Sequence, residues 1–316
     1  MSVFLARRLA TLLATLLFTS LVVFLVLEVL PGDPAEVILG TEATAETLAA
    51  LRAKLGLDRP AAERYVTWVA ALATGDFGLS HAYSQRIWPL IAERMAVTLP
   101  LAVMAMVLTT VLALLLGVYA AAHHNKPADA AIMAVSQLGI SIPSFWFAIL
   151  LILLFAVELG WFSAGGFPGW SKGFWPALQA LVLPAAALAL VQAAILARIT
   201  RSAVLETMRE DYVRTARAKG LGRDRVLWRH VLRNALVPVV TIMGLQFGNL
   251  LTGTIVIEQV FTLPGLGRLV FQAISNRDLA LIENVTVLFA FIVVSINFLV
   301  DLLYAAIDPR LKARDV

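Results

Sequence analysis

The sequence predicts an all-α, polytopic membrane protein with six transmembrane helices. Hydrophobic residues make up 60% of the 316 residues and charged residues only 15%, and the mean hydropathy is +0.85. A soluble domain of this length does not need so much apolar surface. A bilayer core needs about 20 apolar residues per helix. Six runs of sufficient length occur, at 9–30, 97–122, 131–157, 177–197, 235–257 and 284–307.

The distribution of Lys and Arg predicts how these runs are oriented. We interpret the first run as an uncleaved helix, because no small-x-small cleavage site follows it. With six spans, 16 of the 25 cations lie on the side that holds both termini, and nine lie on the other side. Six of those nine fall in the segment 31–96, whose length weakens their influence. The positive-inside rule therefore predicts cytoplasmic termini and an extracytoplasmic 31–96.

The segment 31–96 has the pattern of folded helices. Thr44 is a suitable N-cap for a helix that stops at Gly56. Pro60 suits the start of a second helix, which ends before Gly75. We expect this segment to form a packed cap over the helix ends, a surface for an external partner, or both.

Two shorter amphipathic stretches border the apolar runs. The first, 87–95, leads into the second span. The second lies in the predicted extracytoplasmic loop 258–282, after Pro264 and Gly265 have ended the fifth helix. It either dips into the outer mouth of a pore or lies along the membrane interface.

The polar segment 198–237 holds ten of the 25 Lys and Arg residues and is predicted to be cytoplasmic. An Ala-rich helix in it ends at a two-glycine break, and a basic amphipathic helix follows. Arg225, Arg229 and Arg233 share one face of that helix, which also suits contact with anionic lipid. The small residues at the break, Ala216, Ala218 and Gly220, permit close approach of a protein surface. We therefore predict a docking element here.

The sequence offers no catalytic or metal-binding constellation. It contains no Cys and four His. His123 and His124 are adjacent and cannot converge on one helical face, His81 is in the external segment, and His230 is in the basic segment. None of the four is paired with a carboxylate at ligand spacing. No Walker-type phosphate loop and no nucleic-acid motif occurs. We expect no enzyme, no metal site and no cofactor bound by this chain, so any energy source belongs to another subunit.

Polar residues within the apolar runs are candidates for a translocation path, because unpaired amides avoid lipid. Helix–helix hydrogen bonding is the alternative. Glu28, Glu258 and Asp301 lie near span ends, where snorkelling or a helix-end contact is expected. Gln246 and Asn249, three residues apart among glycines, fit a path best. The candidates for the path or its gate are Gln137, Gln246, Asn249, Glu258, Phe261, Pro264 and Gly265.

An ordered series of short motifs resembles the permeases of the dipeptide, oligopeptide and nickel class of ABC importers, and specifically the first of their two permease subunits. The motifs include Leu30-Pro31-Gly32-Asp33-Pro34-Ala35, Gly75-Asp76-Phe77-Gly78, Asp211-Tyr212-Val213-Arg214-Thr215-Ala216-Arg217-Ala218-Lys219-Gly220, Pro264-Gly265-Leu266-Gly267, Asp301-Leu302-Leu303-Tyr304 and Asp308-Pro309-Arg310. The resemblance implies one transmembrane domain over residues 1–316, with the type I importer permease fold, in the bacterial inner membrane.

The basic segment is similar to the Glu-Ala-Ala loop of these permeases, which docks in a groove of the ATPase subunit. Arg214 stands at the Glu position and Thr215 at the first Ala, a variant that is common in the peptide branch. The coupling residues that the resemblance implies are Arg214, Thr215, Ala216, Arg217, Ala218, Lys219, Gly220, Gly222 and His230. The implied partners are a second homologous permease, two ABC ATPases that carry ATP and Mg, an extracytoplasmic solute-binding protein and membrane lipid.

The expected function is to form half of a path for di- or oligopeptides. A nickel or glutathione importer of the same family is the alternative, and the absence of His from the expected path favours peptides over nickel. An ion-coupled secondary transporter would need a charged midplane site or inverted repeats, and neither is evident. A membrane enzyme would need the missing catalytic constellation.

Overall fold

The computed structural model describes residues 2–29, 33–40 and 43–307, which are mostly helical. Five helices are long and apolar enough to cross a membrane, and a sixth span results if two helices that bend against each other count as one. The motif residues 30–32 and 308–310, and the side chain of Asp301, lie outside what the structure describes. The chain forms two compact units: residues up to 97 with 264–298, and residues 98–263 with those from 299 on.

The first unit combines the amino-terminal helices with the segment around the start of the last helix. Its elements are α1 (Ser2–Val29), α2 (Pro34–Leu39), α3 (Ala45–Leu55), α4 (Ala61–Ala73), a hairpin of β1 (Leu79–Ser80) and β2 (Gln85–Arg86), the start of α5 (Ile87–Ala122), α12 (Leu266–Ser275) and most of α13 (Leu279–Ile307).

Local signals fix the helices of the predicted external segment. The Thr44 hydroxyl accepts a hydrogen bond from the Thr47 backbone N–H at the start of α3, and Gly56 ends this helix at φ +67°, in the left-handed region that favours glycine. α4 packs on α1, where the hydroxyls of Tyr65 and Ser20 lie 2.9 Å apart. Both helices that the sequence predicted are therefore confirmed.

The core of the first unit joins α5, α12 and α13. Ile87 and Ile91 of α5 are fully buried with Leu266 and Leu269 of α12. Asp278, between α12 and α13, is 2% exposed and accepts hydrogen bonds from Ser80 Oγ and from the backbone N–H groups of Ala82 and Leu281. These bonds satisfy a buried carboxylate that would otherwise be costly. α12 is thus packed along one face within its own unit.

The second unit carries the remaining apolar helices and the basic segment. Its elements are the rest of α5, α6 (Pro127–Ser141), α7 (Ser144–Leu151) with a π-helical extension (Ile152–Glu158), a 3-10 turn (Trp170–Lys172), α8 (Phe174–Thr207), α9 (Asp211–Ala218), α10 (Arg223–Val226) with a π-helical turn (Leu227–Val231), and α11 (Leu232–Val260). α8 and α11 pack along each other, and Gly253 of α11 lies against Leu188 of α8.

The third predicted span, 131–157, is not one straight helix. α6 and the helix that begins at Ser144 meet at an angle of 102°. Ile142 is extended, at φ −99° and ψ 127°, because the residue before a proline is disfavoured in a helix, and Pro143 supplies no N–H to continue α6. The expectation of an unbroken helix here was wrong.

Several predicted boundaries move outward. α5 includes the stretch 87–95 and runs unbroken to Ala122, and at 36 residues it is about 54 Å long, well beyond the hydrocarbon thickness. α8 continues to Thr207, so that the first ten residues of the segment 198–237 are helical. Hydropathy locates the apolar centre of such a helix. It misses the polar residues at either end, which belong to the same helix.

Candidate functional site

The site is the basic segment between α8 and α11, residues 208–231. It begins with α9, whose two faces have different surroundings. Val213 and Ala216 are buried at 0% and 7% exposure in a core cluster with Leu196 and Val204 of α8. Their spacing of three residues places them on one helical face. The remaining residues of α9 leave the opposite face to solvent or to a partner.

The exposed face of α9 carries most of the predicted coupling residues. Arg214, Thr215, Arg217 and Ala218 are exposed, as is Lys219 after the helix. Arg214 and Asp211 lie 3.6 Å apart, and both side chains are mostly in solvent. This ion pair therefore contributes little to the stability of the fold. Ala216 packs within this chain, whereas Ala218 is exposed.

The break after α9 depends on only one of its two glycines. Gly220 has φ +78°, a conformation that costs other L-residues energy, and its N–H donates to the Arg217 carbonyl over 2.9 Å. Gly222 has φ −60° and ψ 150°, which any residue adopts. A Cβ at either position would meet no atom within 4 Å. The backbone therefore explains Gly220 and leaves Gly222 unexplained.

The chain after the turn is anchored on both sides. Val226, Leu227 and Val231 are buried in the same core cluster as α9. Arg223 donates from Nη2 to the carbonyl of Ala122, at the end of α5, over 2.8 Å. Arg225, Arg229 and Arg233 are exposed, as the amphipathic pattern predicted.

A second contact connects α9 with α11. Asn234 donates from Nδ2 to Tyr212 Oη over 2.8 Å and to the carbonyl of His230 over 3.2 Å. His230 itself is half-buried. The basic segment is therefore attached to α5, α8 and α11, and a displacement of α9 would act on all three.

An ion pair that the sequence did not indicate holds α6 against α8. Arg201 donates to Asp129 from Nε over 2.5 Å and from Nη2 over 2.7 Å, and Asp129 also accepts from the Asn125 backbone N–H. His124 Nδ1 lies 3.3 Å from the same carboxylate. The sequence analysis looked only for His and carboxylate pairs at ligand spacing, and it did not indicate this contact, which forms because the turn at 123–126 folds His124 back toward the start of α6.

No described group of three or more His, Asp or Glu residues has the arrangement of a metal site. The His124, Asp129 and Arg201 cluster is instead a charge-balanced contact, since the guanidinium occupies both carboxylate oxygens.

The path candidates have different surroundings. Gln246 is 3% exposed and donates to the Gln192 carbonyl over 3.2 Å, as a helix–helix contact would. Asn249 is exposed. Gln137 is exposed and accepts a hydrogen bond from Arg198 over 2.9 Å. The structure therefore separates Gln246 from Asn249, which the sequence had grouped together.

The candidates near the end of α11 are mostly buried. Glu258 is fully buried and accepts a 2.6 Å hydrogen bond from the Thr98 hydroxyl, so that it does not snorkel. The Phe261 carbonyl accepts from the Gly166 N–H over 2.8 Å. Pro264 is half-buried, and Gly265 forms the N-cap of α12. Sequence reasoning missed Thr98, because no local pattern marks a hydroxyl that meets a carboxylate 160 residues away.

Comparison with known proteins gives consistent results. Residues 113–313 match the family described as "Binding-protein-dependent transport system inner membrane component", and residues 1–102 match its N-terminal companion. A putative peptide transport system permease protein of Brucella abortus is 43% identical over 312 residues, which are 99% of each chain. The di/tripeptide transport system permease protein of Pseudomonas aeruginosa is 39% identical, again over 99% of each chain. The glutathione transport system permease protein of Escherichia coli is 41% identical over 98% of each.

Solved structures give the same fold. The MetNI methionine ABC transporter in an inward-facing conformation matches with a TM-score of 0.57 and 21% identity, over 69% of this chain and 96% of that one. An amino acid ABC transporter matches with a TM-score of 0.53 and 17% identity, over 69% and 94%. At these identities the likeness concerns the fold alone, which is that of ABC importer permeases.

Proposed function

Because this chain belongs to the binding-protein-dependent transport system inner membrane component family, as a permease of the peptide and nickel class of ABC importers, we propose that α9 couples it to an ABC ATPase. The protein is a multi-pass inner-membrane permease and not an enzyme. In the proposal, ATP and Mg bind to two ATPase subunits, and closure of these subunits displaces α9. That displacement opens and closes the path that this chain lines.

The observation that supports coupling most directly is the division of α9 into a buried and an exposed face. Val213 and Ala216 fix the helix to α8, and Asn234 ties it to the start of α11. Ala218 and the cations beside it remain exposed. A partner that moves the exposed face would therefore transmit force through packed contacts into two long helices.

The complete importer in this proposal needs three further kinds of subunit besides lipid. A second homologous permease supplies the other half of the path, since a single chain presents only one set of path residues. A solute-binding protein delivers the substrate at the extracytoplasmic face, where the segments 31–96 and 258–282 are proposed to receive it. Asn249, exposed on α11, is the path residue that we favour, with Gln137 and the end of α11 around Phe261 near a gate.

We propose di- or oligopeptides as the substrate. Relatives named for peptide or di/tripeptide transport are 43% and 39% identical, and the one named for glutathione transport is 41% identical. Glutathione is itself a small peptide and is therefore the second candidate. α11 contains no His, which disfavours nickel. A binding screen of the cognate binding protein with dipeptides, oligopeptides, glutathione and nickel chelates distinguishes these substrates.

A matched pair of proline substitutions tests the coupling. Gly220→Pro forces φ from +78° to about −65° and removes the N–H that bonds Arg217. Gly222→Pro meets a backbone already at φ −60°. In proteoliposomes that contain the complete importer and its binding protein, we expect Gly220→Pro to abolish ATP-driven uptake and Gly222→Pro to retain most of it.

Assembly of both variants with the ATPase is measured in parallel. Normal uptake by an assembled Gly220→Pro importer would refute the coupling role. Ion-driven uptake by this chain without any ATPase would instead favour a secondary transporter.

A further inference from the structure

Asp278 connects three structural elements of the first unit. Its Oδ2 accepts hydrogen bonds from the β1–β2 hairpin, one from the Ser80 hydroxyl and one from the Ala82 N–H over 3.1 Å. Its Oδ1 accepts from the Leu281 N–H, in the first turn of α13, over 3.2 Å. Its own N–H donates to the Ala273 carbonyl, in the last turn of α12, over 2.9 Å. One residue therefore joins the hairpin, α12 and α13.

Two further contacts hold the hairpin on the same two helices. Tyr83 Oη donates to Gln272 Oε1 of α12 over 2.9 Å. Asn284 Nδ2 of α13 donates to the carbonyl of Phe77, just before β1, over 3.1 Å. Asn284 and Asp278 are each 2% exposed, and breaking a buried hydrogen bond leaves its polar groups unpaired, which is costly. We call the contacts of Asp278, Tyr83 and Asn284 the hairpin joint.

The hairpin joint connects the two segments that are proposed to receive the solute-binding protein. The hairpin belongs to the segment 31–96, and α12 belongs to the segment 258–282. Each segment also keeps apolar side chains accessible to a partner: Leu79 of the hairpin is 57% exposed, and Phe271 and Ile274 of α12 are 56% and 53% exposed. A partner that displaces either segment would therefore displace both.

A displacement of α12 would act on the residues that follow the fifth span. α11 ends at Val260 and α12 begins at Leu266, and the residues between them include Phe261, which we place near a gate. Five residues reach at most about 17 Å when fully extended. The connection 261–265 is therefore too short to absorb a large movement of α12 without changing its own conformation.

We propose that Asp278 is a positioning residue for transport: it makes the hairpin and α12 move together, so that docking of the binding protein displaces residues 261–265. This inference rests on the proposed function, because it needs a binding protein at the extracytoplasmic face. Asp278 acts through α12 and does not contact the substrate. A carboxylate suits this role because both of its oxygens accept hydrogen bonds, whereas an amide has one acceptor oxygen.

A loosened hairpin joint tests the proposal in proteoliposomes that contain the complete importer and its binding protein. Ser80→Ala/Tyr83→Phe removes one donor to Asp278 and one to Gln272 and leaves the backbone contacts of Asp278 in place. We expect uptake to fall at least about threefold, with basal ATP hydrolysis and the affinity of the importer for its binding protein unchanged.

Tyr65→Phe is the matched control for the loosened joint. It also removes a tyrosine hydroxyl contact of the first unit, in this case the one with Ser20. Tyr65 belongs to α4 and makes none of the contacts of the hairpin joint. We expect its uptake to equal that of the parent importer.

Crosslinking tests the same joint in the opposite direction. Tyr83→Cys/Gln272→Cys loses the hydrogen bond between these side chains, and a short bismaleimide replaces it with a covalent link in a chain that has no other Cys. We expect the two substitutions to lower uptake and the crosslink to restore it. Tyr83→Cys alone, treated with the same reagent, controls for reaction elsewhere in the importer.

Four results would overturn the proposal. The first is normal uptake by the assembled Ser80→Ala/Tyr83→Phe importer. The second is loss of uptake on crosslinking, which would show that the hairpin and α12 separate during transport. The third is a weaker affinity for the binding protein, which would assign these side chains to the docking surface. The fourth is a parallel loss of basal ATP hydrolysis, which would make their role purely structural. A parent importer without ATP-driven uptake would instead refute the proposed function.

Discussion

Three glycines of this protein are required for two different physical reasons, which are backbone conformation and lack of space for a side chain. Gly220 is required by its backbone conformation. Gly117 and Gly244 are required by space: a Cβ at Gly117 would lie 2.7 Å from the Ala197 carbonyl oxygen, and one at Gly244 would lie 2.8 Å from a methyl group of Val300. The first obstacle is backbone and the second is a side chain, so that only the second can be relieved by substitution.

Alanine substitutions at these two glycines test this difference. We expect Gly117→Ala and Gly244→Ala each to destabilise the protein by about 1–3 kcal/mol, with Gly117→Ala the more severe. Adding Val300→Ala should rescue Gly244→Ala, because it removes the obstructing methyl groups, and should not rescue Gly117→Ala. Thermal unfolding in detergent gives the ranking. Gly222→Ala, with no atom within 4 Å, is the control, and an unfolding temperature for Gly117→Ala equal to that of the parent would contradict the packing account.

At the scale of elements, local signals in the sequence predict the short helices well. The cap at Thr44, the stop at Gly56 and the turn at Gly220 were predicted from adjacent residues and are confirmed. The bend at Pro143 was not predicted, although proline marks it, because continuous apolarity across 131–157 outweighed one local signal. Hydropathy reports burial in lipid and does not report backbone direction.

Long-range pairing is the second kind of feature that the sequence did not supply. Asp129 and Arg201 are 72 residues apart, and the contact of Glu258 with Thr98 spans 160 residues. Neither pair has a periodic spacing that could reveal it. For the candidate site, this means that the helix α9 and the turn at Gly220 were predictable, whereas the buried face of α9 and the attachments of the basic segment to α5 and α11 were not.

The Asp129–Arg201 contact predicts a specific pattern of stability. Their side chains are 5% and 21% exposed, so Arg201→Leu leaves a carboxylate buried without its partner, which should cost about 3 kcal/mol. The double variant Asp129→Leu/Arg201→Leu removes both charges and should cost less than the single change. Arg209→Leu, at an exposed position eight residues after Arg201, should have little effect. If the double variant unfolds in detergent at a lower temperature than Arg201→Leu, an unpaired buried carboxylate is not the cause of the destabilisation.

At the scale of the whole molecule, coupling through α9 requires the basic segment and the loop before α8 to face opposite sides of the membrane. The chain contains no Cys, so a single introduced Cys is the only thiol in it that a reagent can label. Lys172 and Ala218 are both exposed. In intact cells, we expect an impermeant thiol reagent to label Lys172→Cys and to leave Ala218→Cys unlabelled, with the reverse result in inverted vesicles. Labelling of Ala218→Cys from outside intact cells would show that the proposed orientation is wrong.

Transmission of ATPase motion by α9 is the central claim, and cysteine crosslinking in the assembled importer tests it most directly. Ala218 is exposed, whereas Ala216 is 7% exposed and packed within its own chain, so that the two positions form a matched pair only two residues apart. We predict that Ala218→Cys crosslinks to the ATPase subunit, with a yield that changes on ATP binding, and that Ala216→Cys does not. No ATPase captured at Ala218, or equal capture at both positions, would contradict the account.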